Sequence, residues 1–347
     1  METSYEKDDV TLLLKNINGL VAPLPVEERE KLIQQGGHYG GMLPVEYVPS
    51  EDYMGLYRVA LETYKKEVAK AVAVVSQKIV KARGRRIVLV SLARAGIPAG
   101  ILIKRYLKEM LDIDVVHYGI SIIRDIGIDH AAMEYILARH EKSELLFVDG
   151  WIGKGAILSQ LQEAMRQYPE VSPELAVLAD PANIVSLCGT QEDFLIPSAC
   201  LNSTISGLVS RTFYRDDVIK KGEFHGALYY DNLTGEDVSN DFIDAVTKEF
   251  VREVEFPKMK LGGDTGEDEV RRIAHFFDVE NLNFIKPGVG ETTRVLLRRV
   301  PWKILVSETA KNDAVLQHIR QLASERNVPV ELYPLEHYKV CGIIRRV

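Results

Sequence analysis

Apolar residues in the first part of the chain follow two alternating patterns. Short, nearly continuous apolar runs bounded by turn-forming residues are typical of buried strands. Between them, apolar residues recur with helical spacing, and Ser50 followed by Glu51 and Asp52 is a favourable start for the longest helix. The strands are predicted at 86–92, 114–123, 144–149 and 175–179, and the helices at 51–83, 98–110, 131–140 and 156–168. This alternation predicts a mainly parallel α/β sheet.

The pattern is interrupted near residue 257. Pro257, Gly262, Gly263 and Gly266 fall close together there, and such a cluster is typical of a linker. The predicted organisation is an irregular arm (1–50), a first domain (51–256), a linker (257–268) and a second, smaller α/β domain (269–347). In the second domain we expect helices at 291–299 and 312–327 and strands at 303–307 and 330–333.

Composition narrows the class of protein. The chain has 347 residues, 46% of them hydrophobic and 27% charged, as in ordinary globular proteins. Because no run of about 18 apolar residues occurs and the amino-terminal segment is acidic, we expect no membrane span, no signal peptide and a cytoplasmic location. The three cysteines, Cys188, Cys200 and Cys341, form no CxxC pair, which fits a reducing compartment.

Charge is distributed unevenly along the chain. The net charge is −7, yet residues 284–347 contain 11 Lys and Arg against 6 Asp and Glu, so the rest of the chain carries −12. A basic segment on an acidic body indicates a polyanionic partner, and an asymmetric solvated surface is the alternative.

The end of the first predicted strand carries a candidate anion site. In the segment 91–98, Arg94 is followed by Ala95 and Gly96. Small residues permit close backbone approach, a helix start offers free amides to an anion, and Arg offers a forked cation. A tight strand-to-helix turn with an exposed Arg is the alternative interpretation.

The end of the third predicted strand carries a second candidate anion site. Asp149 follows an apolar run, and a glycine-rich loop then opens a helix. Its amides could cradle a phosphate, with Lys154 as a nearby charge. The loop residues are Gly150, Trp151, Ile152, Gly153, Lys154, Gly155 and Ala156. The spacing matches neither a Walker A loop nor a dinucleotide fingerprint, and a helix-entry turn capped by Asp149 remains possible.

Together these two loops resemble those of type I phosphoribosyltransferases. The resemblance implies phosphoribosyl pyrophosphate (PRPP) as donor, a Mg²⁺ ion held through PRPP and Asp149, and displacement of pyrophosphate by a base-like acceptor. It assigns catalytic roles to Arg94, Asp149 and Lys154, and to Arg124 in a loop that closes over the donor; for that loop, a polar turn after a strand is the alternative. Gly150 stands where the family has a second acidic residue.

Small polar residues suggest where an acceptor could bind. The predicted acceptor pocket contains Asp180, Asn202, Ser203 and Thr204, although such residues are also ordinary in loops. Cys200 with His225 or His38 could instead form a nucleophile and base, but no spacing supports that pairing.

The basic segment contains a glycine loop that opens a helix. Arg294 and Arg298 are four residues apart and share a helix face, where they could contact a nucleic-acid backbone. A capped amphipathic helix is the alternative. The order of elements and the later "ERNVP" segment resemble the RNA-binding domain of pelota, release factors and kink-turn-binding ribosomal proteins. The resemblance implies RNA contacts from Gly288, Gly290, Glu291, Arg294 and Arg298.

The two domains together resemble a bacterial family associated with tellurium-resistance stress genes and nucleoside biosynthesis, some members of which are called cysteine protease StiP. The predicted fold is a phosphoribosyltransferase-like sheet followed by a smaller, three-layer pelota-type domain. The predicted function is PRPP-dependent phosphoribosyl transfer with RNA binding in a stress response, and an oligomer is possible. The alternatives are a non-catalytic RNA-binding protein with a sugar-phosphate sensor domain, and a cysteine-dependent hydrolase.

Overall fold

The fold was analysed in a computed structural model that describes residues 1–25, 28–29, 31–32, 35–260 and 262–344. Within these ranges the helices are α1 (Glu51–Arg83), α2 (Gly96–Leu111), α3 (His130–Leu137), α4 (Ala156–Met165), α5 (Ser239–Thr247), α6 (Gly266–Phe276), α7 (Val289–Arg298) and α8 (Gln317–Glu325). The strands are β1 (Thr11–Leu12), β2 (Lys15–Asn16), β3 (Val88–Ala93), β4 (Val116–Ile123), β5 (Gly127–Ile128), β6 (Leu145–Trp151), β7 (Leu175–Ala179), β8 (Cys188–Thr190), β9 (Gly226–Ala227), β10 (Ile285–Pro287), β11 (Pro301–Ser307), β12 (Val330–Tyr333) and β13 (Val340–Ile344).

The largest sheet forms the centre of the first domain. Its strands lie in the order β1-β4-β3-β6-β7-β8, all parallel, and β5 pairs antiparallel with the end of β4. Strands β3, β6 and β7 are almost continuously buried, which explains their uninterrupted apolar sequence. Their carboxyl ends meet at one edge of the sheet, where the two predicted loops lie.

Helix α1 shows how local sequence defines an element. The Ser50 hydroxyl accepts a hydrogen bond from the Tyr53 amide at 3.4 Å, and Glu51 and Asp52 lie in the positively polarised first turn. Gly84 ends the helix with φ 75°, a value that glycine adopts at little cost. The predicted helix over 51–83 is therefore confirmed.

The second domain has three layers. Its four-stranded sheet has the order β10-β13-β11-β12, with only the β11–β12 pair parallel. Ile304 and Val306 share a buried core with α7 and α8, whereas the intervening Leu305 packs with α6. The predicted fold class, a mainly parallel α/β sheet with a second, smaller α/β domain, is confirmed.

The amino-terminal arm differs from the prediction. Residues 1–50 were expected to be irregular, but β1 pairs with β4 and adds an edge strand to the central sheet. Leu12, Leu13 and Leu14 are buried. The prediction missed this strand because it is only two residues long. Helix α6 begins at Gly266, inside the predicted linker. Within the described residues, no helix is both long and apolar enough to cross a membrane.

Candidate functional site: a cationic cleft between the domains

The sites predicted in the two domains face each other across one cleft. A cavity of about 230 Å³ lies between the 149–156 loop and the segment 285–294 of the second domain. A larger cavity of about 620 Å³ adjoins it, and both are lined by Lys286, Glu291 and Arg294. A third cavity, also of about 230 Å³, is lined by Arg94, Trp151 and Arg294. We call these joined cavities the interdomain cleft.

The cleft concentrates positive charge in an acidic protein. Of the described residues that line it, eight are cationic: Arg29, Arg94, Arg124, Lys154, Arg211, Lys286, Arg294 and Arg299. Three are acidic: Glu46, Asp149 and Glu291. Cations gathered in a concave site attract anions more strongly than the same charges spread over a surface. The cleft is therefore suited to an anionic ligand, although the whole chain has a net charge of −7.

The small residues at the two strand ends pack the loops against each other. An added Cβ at Gly96 would lie 2.3 Å from the carbonyl oxygen of Val148, and one at Gly150 would lie 3.0 Å from that of Ala95. These glycines thus allow two turns of the same domain to approach closely. The close approach seen here is between the turns, and the predicted anion binding by Ala95, Gly96 and Gly150 stays a prediction.

Arg94 projects from the turn after β3 into the cleft. Its guanidinium donates hydrogen bonds to the carbonyl oxygen of Val209 at 3.1 Å and to Oδ1 of Asn202 at 3.4 Å. Burial lowers its pKa, and the neighbouring Arg294 lowers it further. Arg94 is thus a positioned cation, and its predicted role in an anion site stays a prediction.

Asp149 lies at the end of β6 with its side chain 9% exposed. Its Oδ1 accepts a hydrogen bond from the Gly150 amide at 2.8 Å, and burial raises its pKa to about 7. Mg²⁺ prefers several oxygen ligands, and the carboxyl groups that line this cavity belong to Asp149 and Glu291, beside four cations. A Mg²⁺ ion here stays a prediction, and no chemical step below depends on it.

The glycine-rich loop also contacts the second domain. The Lys154 ammonium donates to the carbonyl oxygens of Leu282 and, at 3.5 Å, of Ile285. Burial lowers its pKa to about 8. The Tyr338 hydroxyl donates to the Gly153 carbonyl oxygen at 2.6 Å. Ile152, Gly155 and Ala156 line the same cavity. Lys154 therefore joins the two domains as well as facing the cavity.

Arg124 lies at the mouth of the same cavity. Its guanidinium donates to Oδ1 of Asn283 in the second domain at 2.7 Å, and its amide donates to the Tyr39 hydroxyl at 3.0 Å. The loop predicted to close over a ligand is thus held to the second domain and the amino-terminal arm.

The structure does not assemble the four predicted acceptor residues. Asn202 lines the cleft. Asp180 is fully buried, and its carboxyl group accepts hydrogen bonds from the amides of Ile184 and Val185 at 2.7 and 2.8 Å. Ser203 and Thr204 are buried as well.

The glycine loop of the second domain is packed against the first. Gly288, at φ 89°, and Gly290 are both buried. The Val289 amide donates to Oδ1 of Asp193 at 2.8 Å, while Oδ2 of Asp193 accepts from the Lys339 amide at 2.9 Å. The start of α7 is thus bound by a carboxylate of the first domain. Glu291 and Arg294 face the cleft, and the side chain of Arg298 lies outside the described residues.

Two residues at the domain junction carry no recognisable signal in the sequence, Asp193 and Arg211. Asp193 is 6% exposed, and burial raises its pKa to about 6. Arg211 donates to the carbonyl oxygens of Tyr39 and Met42, and burial together with Arg29 and Arg94 lowers its pKa to about 10. Both lie in irregular segments without a motif, so only their position in the fold reveals them.

All three cysteines are buried. Burial raises the pKa of Cys188 to about 12, and it raises that of Cys341 still further. Cys200 is buried directly before Leu201 and Asn202, which line the cleft. His225 hydrogen-bonds to Oγ of Ser121 at 2.8 Å, and Nδ1 of His38 accepts from the Gly40 amide at 3.0 Å. Both histidines considered as a base for Cys200 thus have other partners.

The fold and the cleft define a two-domain α/β protein with an anion-attracting site at the domain junction. Residues 3–247 match the family model described as tellurite-like stress resistance cysteine protease StiP, and residues 264–346 match the PELOTA RNA binding domain. A relative named cysteine protease StiP, from Acinetobacter baylyi, is 36% identical over 368 aligned residues, covering 99% of this chain and 94% of the relative. The chain belongs to the StiP family and carries a PELOTA RNA-binding domain.

A solved structure shares only a distant likeness. The hypoxanthine-guanine phosphoribosyltransferase of Leishmania tarentolae in complex with GMP matches with a TM-score of 0.27 and 12% identity, covering 38% of this chain and 77% of that one. A likeness at this TM-score supports no conclusion about activity.

The family assignment corrects the predicted activity. PRPP-dependent phosphoribosyl transfer is wrong as the main function, and so is the assignment to glycosyltransferases of nucleoside biosynthesis. The family that matches residues 3–247 is described as a cysteine protease family. The relative, 94% of whose length aligns with this chain, is named a cysteine protease as well. The predicted pelota-type domain and the association with stress resistance are confirmed.

Proposed function

We propose that this protein binds RNA in the interdomain cleft. The observation that carries this proposal is the excess of cationic over acidic residues that line the cleft, above all the position of Arg294. Within the described part of the chain, no hydrogen bond or ion pair engages the guanidinium of Arg294, which faces both main cavities. A guanidinium that lacks a protein partner is well suited to a phosphate group.

Aromatic side chains line the larger cavity of the cleft. Tyr47, Tyr53 and Tyr230 line the larger cavity together with the arginines, and Tyr47 is 67% exposed. RNA-binding sites commonly combine cations for the backbone with aromatic rings on which unpaired bases stack. The combination of arginine and tyrosine at this cleft favours RNA over a simple inorganic anion.

Photo-crosslinking to a uridine-rich oligonucleotide tests this proposal. We expect crosslinked peptides that contain Tyr47 or Tyr230, and we expect Tyr47→Ala to reduce the yield. Tyr135→Ala is the matched control, because Tyr135 packs against Tyr118 outside the cleft and Arg139 lies over its ring. Crosslinks confined to other surfaces would overturn the proposal.

A second candidate function is cysteine-dependent hydrolysis, which the family description of residues 3–247 favours. A cysteine protease needs an accessible thiolate and a nearby base. Cys200 is the best candidate nucleophile because its sequence neighbours line the cleft. Since Cys200 is buried in this arrangement, hydrolysis requires a local opening that exposes its thiol.

Proteolysis assays on purified protein test the second candidate. Full-length protein is incubated with a panel of unfolded protein substrates, and Cys200→Ser is compared with Cys188→Ser. We expect cleavage by the wild type and by Cys188→Ser, and none by Cys200→Ser. Unchanged cleavage by Cys200→Ser, or no cleavage by the wild type, would exclude Cys200 as a nucleophile.

A further inference from the structure

We propose that Arg94, Arg211 and Arg294 form a site for the terminal phosphate of an unpaired RNA strand. This inference rests on the proposed RNA binding and adds which part of the RNA enters the cleft. The three arginines come from three distant parts of the sequence and line one continuous space. A phosphate monoester at a strand end carries more charge than an internal phosphodiester, so it gains most from several cations.

The three arginines hold complementary positions around that space. Arg94 is anchored through Val209 and Asn202, and Arg211 through the carbonyl oxygens of Tyr39 and Met42. Arg294 belongs to α7 and lines the same two cavities. Two anchored cations of the first domain and one cation of the second thus share one space.

Their charges are poorly compensated by the protein. Glu46 is the acidic residue that shares the larger cavity with them besides Glu291. The Nε atom of Arg211 is buried and has no hydrogen-bond partner among the described residues. Burial lowers the pKa of Arg94, and repulsion from Arg294 lowers it further; burial together with repulsion from Arg29 and Arg94 lowers the pKa of Arg211. A bound dianion would relieve this repulsion and supply an acceptor for unpaired donors.

The closed side of the cleft favours an unpaired strand over a duplex. The start of α7, which could face a nucleic-acid backbone, is covered by Asp193 and packed against Trp151 and Ala199. The larger cavity, at about 620 Å³, is in the size range of sites for small organic ligands. Tyr47, Tyr53 and Tyr230 lie in the same cavity, and unpaired bases can stack on such rings.

Affinity measurements with a matched set of RNAs test the proposal. Fluorescence anisotropy compares one single-stranded oligonucleotide with a 5′-phosphate, a 3′-phosphate or hydroxyls at both ends, and a blunt duplex of the same sequence. We expect a terminal phosphate at one end to tighten binding by about tenfold, consistent with charge-assisted hydrogen bonds. The duplex should bind more weakly than the phosphorylated single strand. Equal affinity for phosphorylated and hydroxyl-ended strands, or a preference for the duplex, would overturn the inference while leaving RNA binding intact.

Two variants test whether the arginines cause the preference for a terminal phosphate. Arg294→Gln removes a cation that has no protein partner, so the fold should be retained, and it should abolish the preference for the terminal phosphate. Arg271→Gln is the control, since Arg271 is exposed on α6 and pairs with Glu267, and it should keep the full preference. Retention of the preference in Arg294→Gln would overturn the site.

Competition distinguishes the possible sources of the phosphate. Inorganic phosphate and a nucleoside monophosphate are titrated against the bound, phosphorylated oligonucleotide. We expect both to compete only at concentrations far above those of the oligonucleotide, because they lack the neighbouring nucleotides. Equal potency of the mononucleotide would show that the ligand is a free nucleotide and would overturn the RNA-end assignment. A complete lack of RNA binding would remove the proposed function as well.

Discussion

The Asp193 carboxyl group of the first domain accepts a hydrogen bond from the Val289 amide at the start of α7 in the second, at 2.8 Å. Its other oxygen binds the Lys339 amide at 2.9 Å. One buried side chain thus joins two neighbouring backbone segments of the second domain to the first. The glycine loop at 288–290, which the sequence predicts to contact RNA, thus also packs against the first domain.

Loss of this contact should destabilise the domain junction. Asp193→Ala leaves the buried Val289 amide and the partly buried Lys339 amide without this acceptor, at a cost of about 1–3 kcal/mol for the buried one. We expect a lower urea midpoint or a separate early transition of the second domain. Asp231→Ala is the control, because Asp231 is exposed. Identical unfolding curves for Asp193→Ala and the wild type would contradict this role.

The packing of the two strand-end turns predicts opposite effects for two glycine substitutions. Gly96→Ala places a methyl group 2.3 Å from the Val148 carbonyl oxygen, and such overpacking costs about 1–3 kcal/mol or more. Gly55→Ala, in α1, meets no atom within 4 Å and should stabilise the protein by about 0.5–1 kcal/mol. Thermal unfolding measures both. If Gly96→Ala leaves the unfolding temperature unchanged, the two turns do not require this close approach.

Much of the fold follows from local sequence, as α1 and β3 illustrate. Ser50 and Gly84 mark both ends of α1 because their capping chemistry is local. The apolar run of β3 reflects burial on both faces. In contrast, β1 is a two-residue strand whose existence depends on β4 at its side, and no local pattern predicts such a pairing.

The candidate site was predictable only in part. Arg94, Lys154 and Arg294 stand beside small-residue turns and helix starts, which are recognisable signals. Arg211 and Asp193 lie in irregular segments, and only tertiary contacts give them a role: Arg211 lines the cleft, and Asp193 binds the start of α7. The predicted phosphoribosyl transfer is wrong, as the description of the family that matches residues 3–247 shows. Turns of small residues at strand ends do not by themselves define an activity, because the same glycines also allow two turns to pack closely.

The buried carboxyl group of Asp149 predicts a specific pH dependence. Its folded pKa of about 7 lies above the ordinary value of 3.8, so the native state holds this proton more tightly than the unfolded chain. Its contribution to stability is therefore largest at low pH and is lost as pH rises from about 4 to 7. Asp149→Asn should stabilise the protein relative to the wild type more at pH 8 than at pH 5.

Urea unfolding at the two pH values measures this difference. At roughly 1.4 kcal/mol per pKa unit, the change should amount to a few kcal/mol. Asp231→Asn, at an exposed position, serves as the control and should show the same pH dependence as the wild type. An equal effect of Asp149→Asn at both pH values would contradict the raised pKa.

Lys154 should hold the domains together as well as face the cavity. Lys154→Gln shortens the side chain and removes the charged donor to the Leu282 and Ile285 carbonyl oxygens. We expect faster proteolytic cleavage in the segment between α5 and α6, because the docked arrangement would open more often. Lys108→Gln, on exposed α2 surface, should leave the cleavage rate unchanged. If Lys154→Gln is cleaved at the same rate as the wild type, Lys154 does not hold the two domains together.

The most direct test of RNA binding in the cleft is a salt titration with Arg294→Gln. RNA affinity of the wild type and of the control Arg271→Gln should fall steeply and equally as salt increases. Arg294→Gln should bind more weakly, and its log–log salt slope should be smaller by about 0.7, the value for one lost phosphate contact with a single strand. If Arg294→Gln keeps the affinity and salt slope of the wild type, RNA does not bind in this cleft.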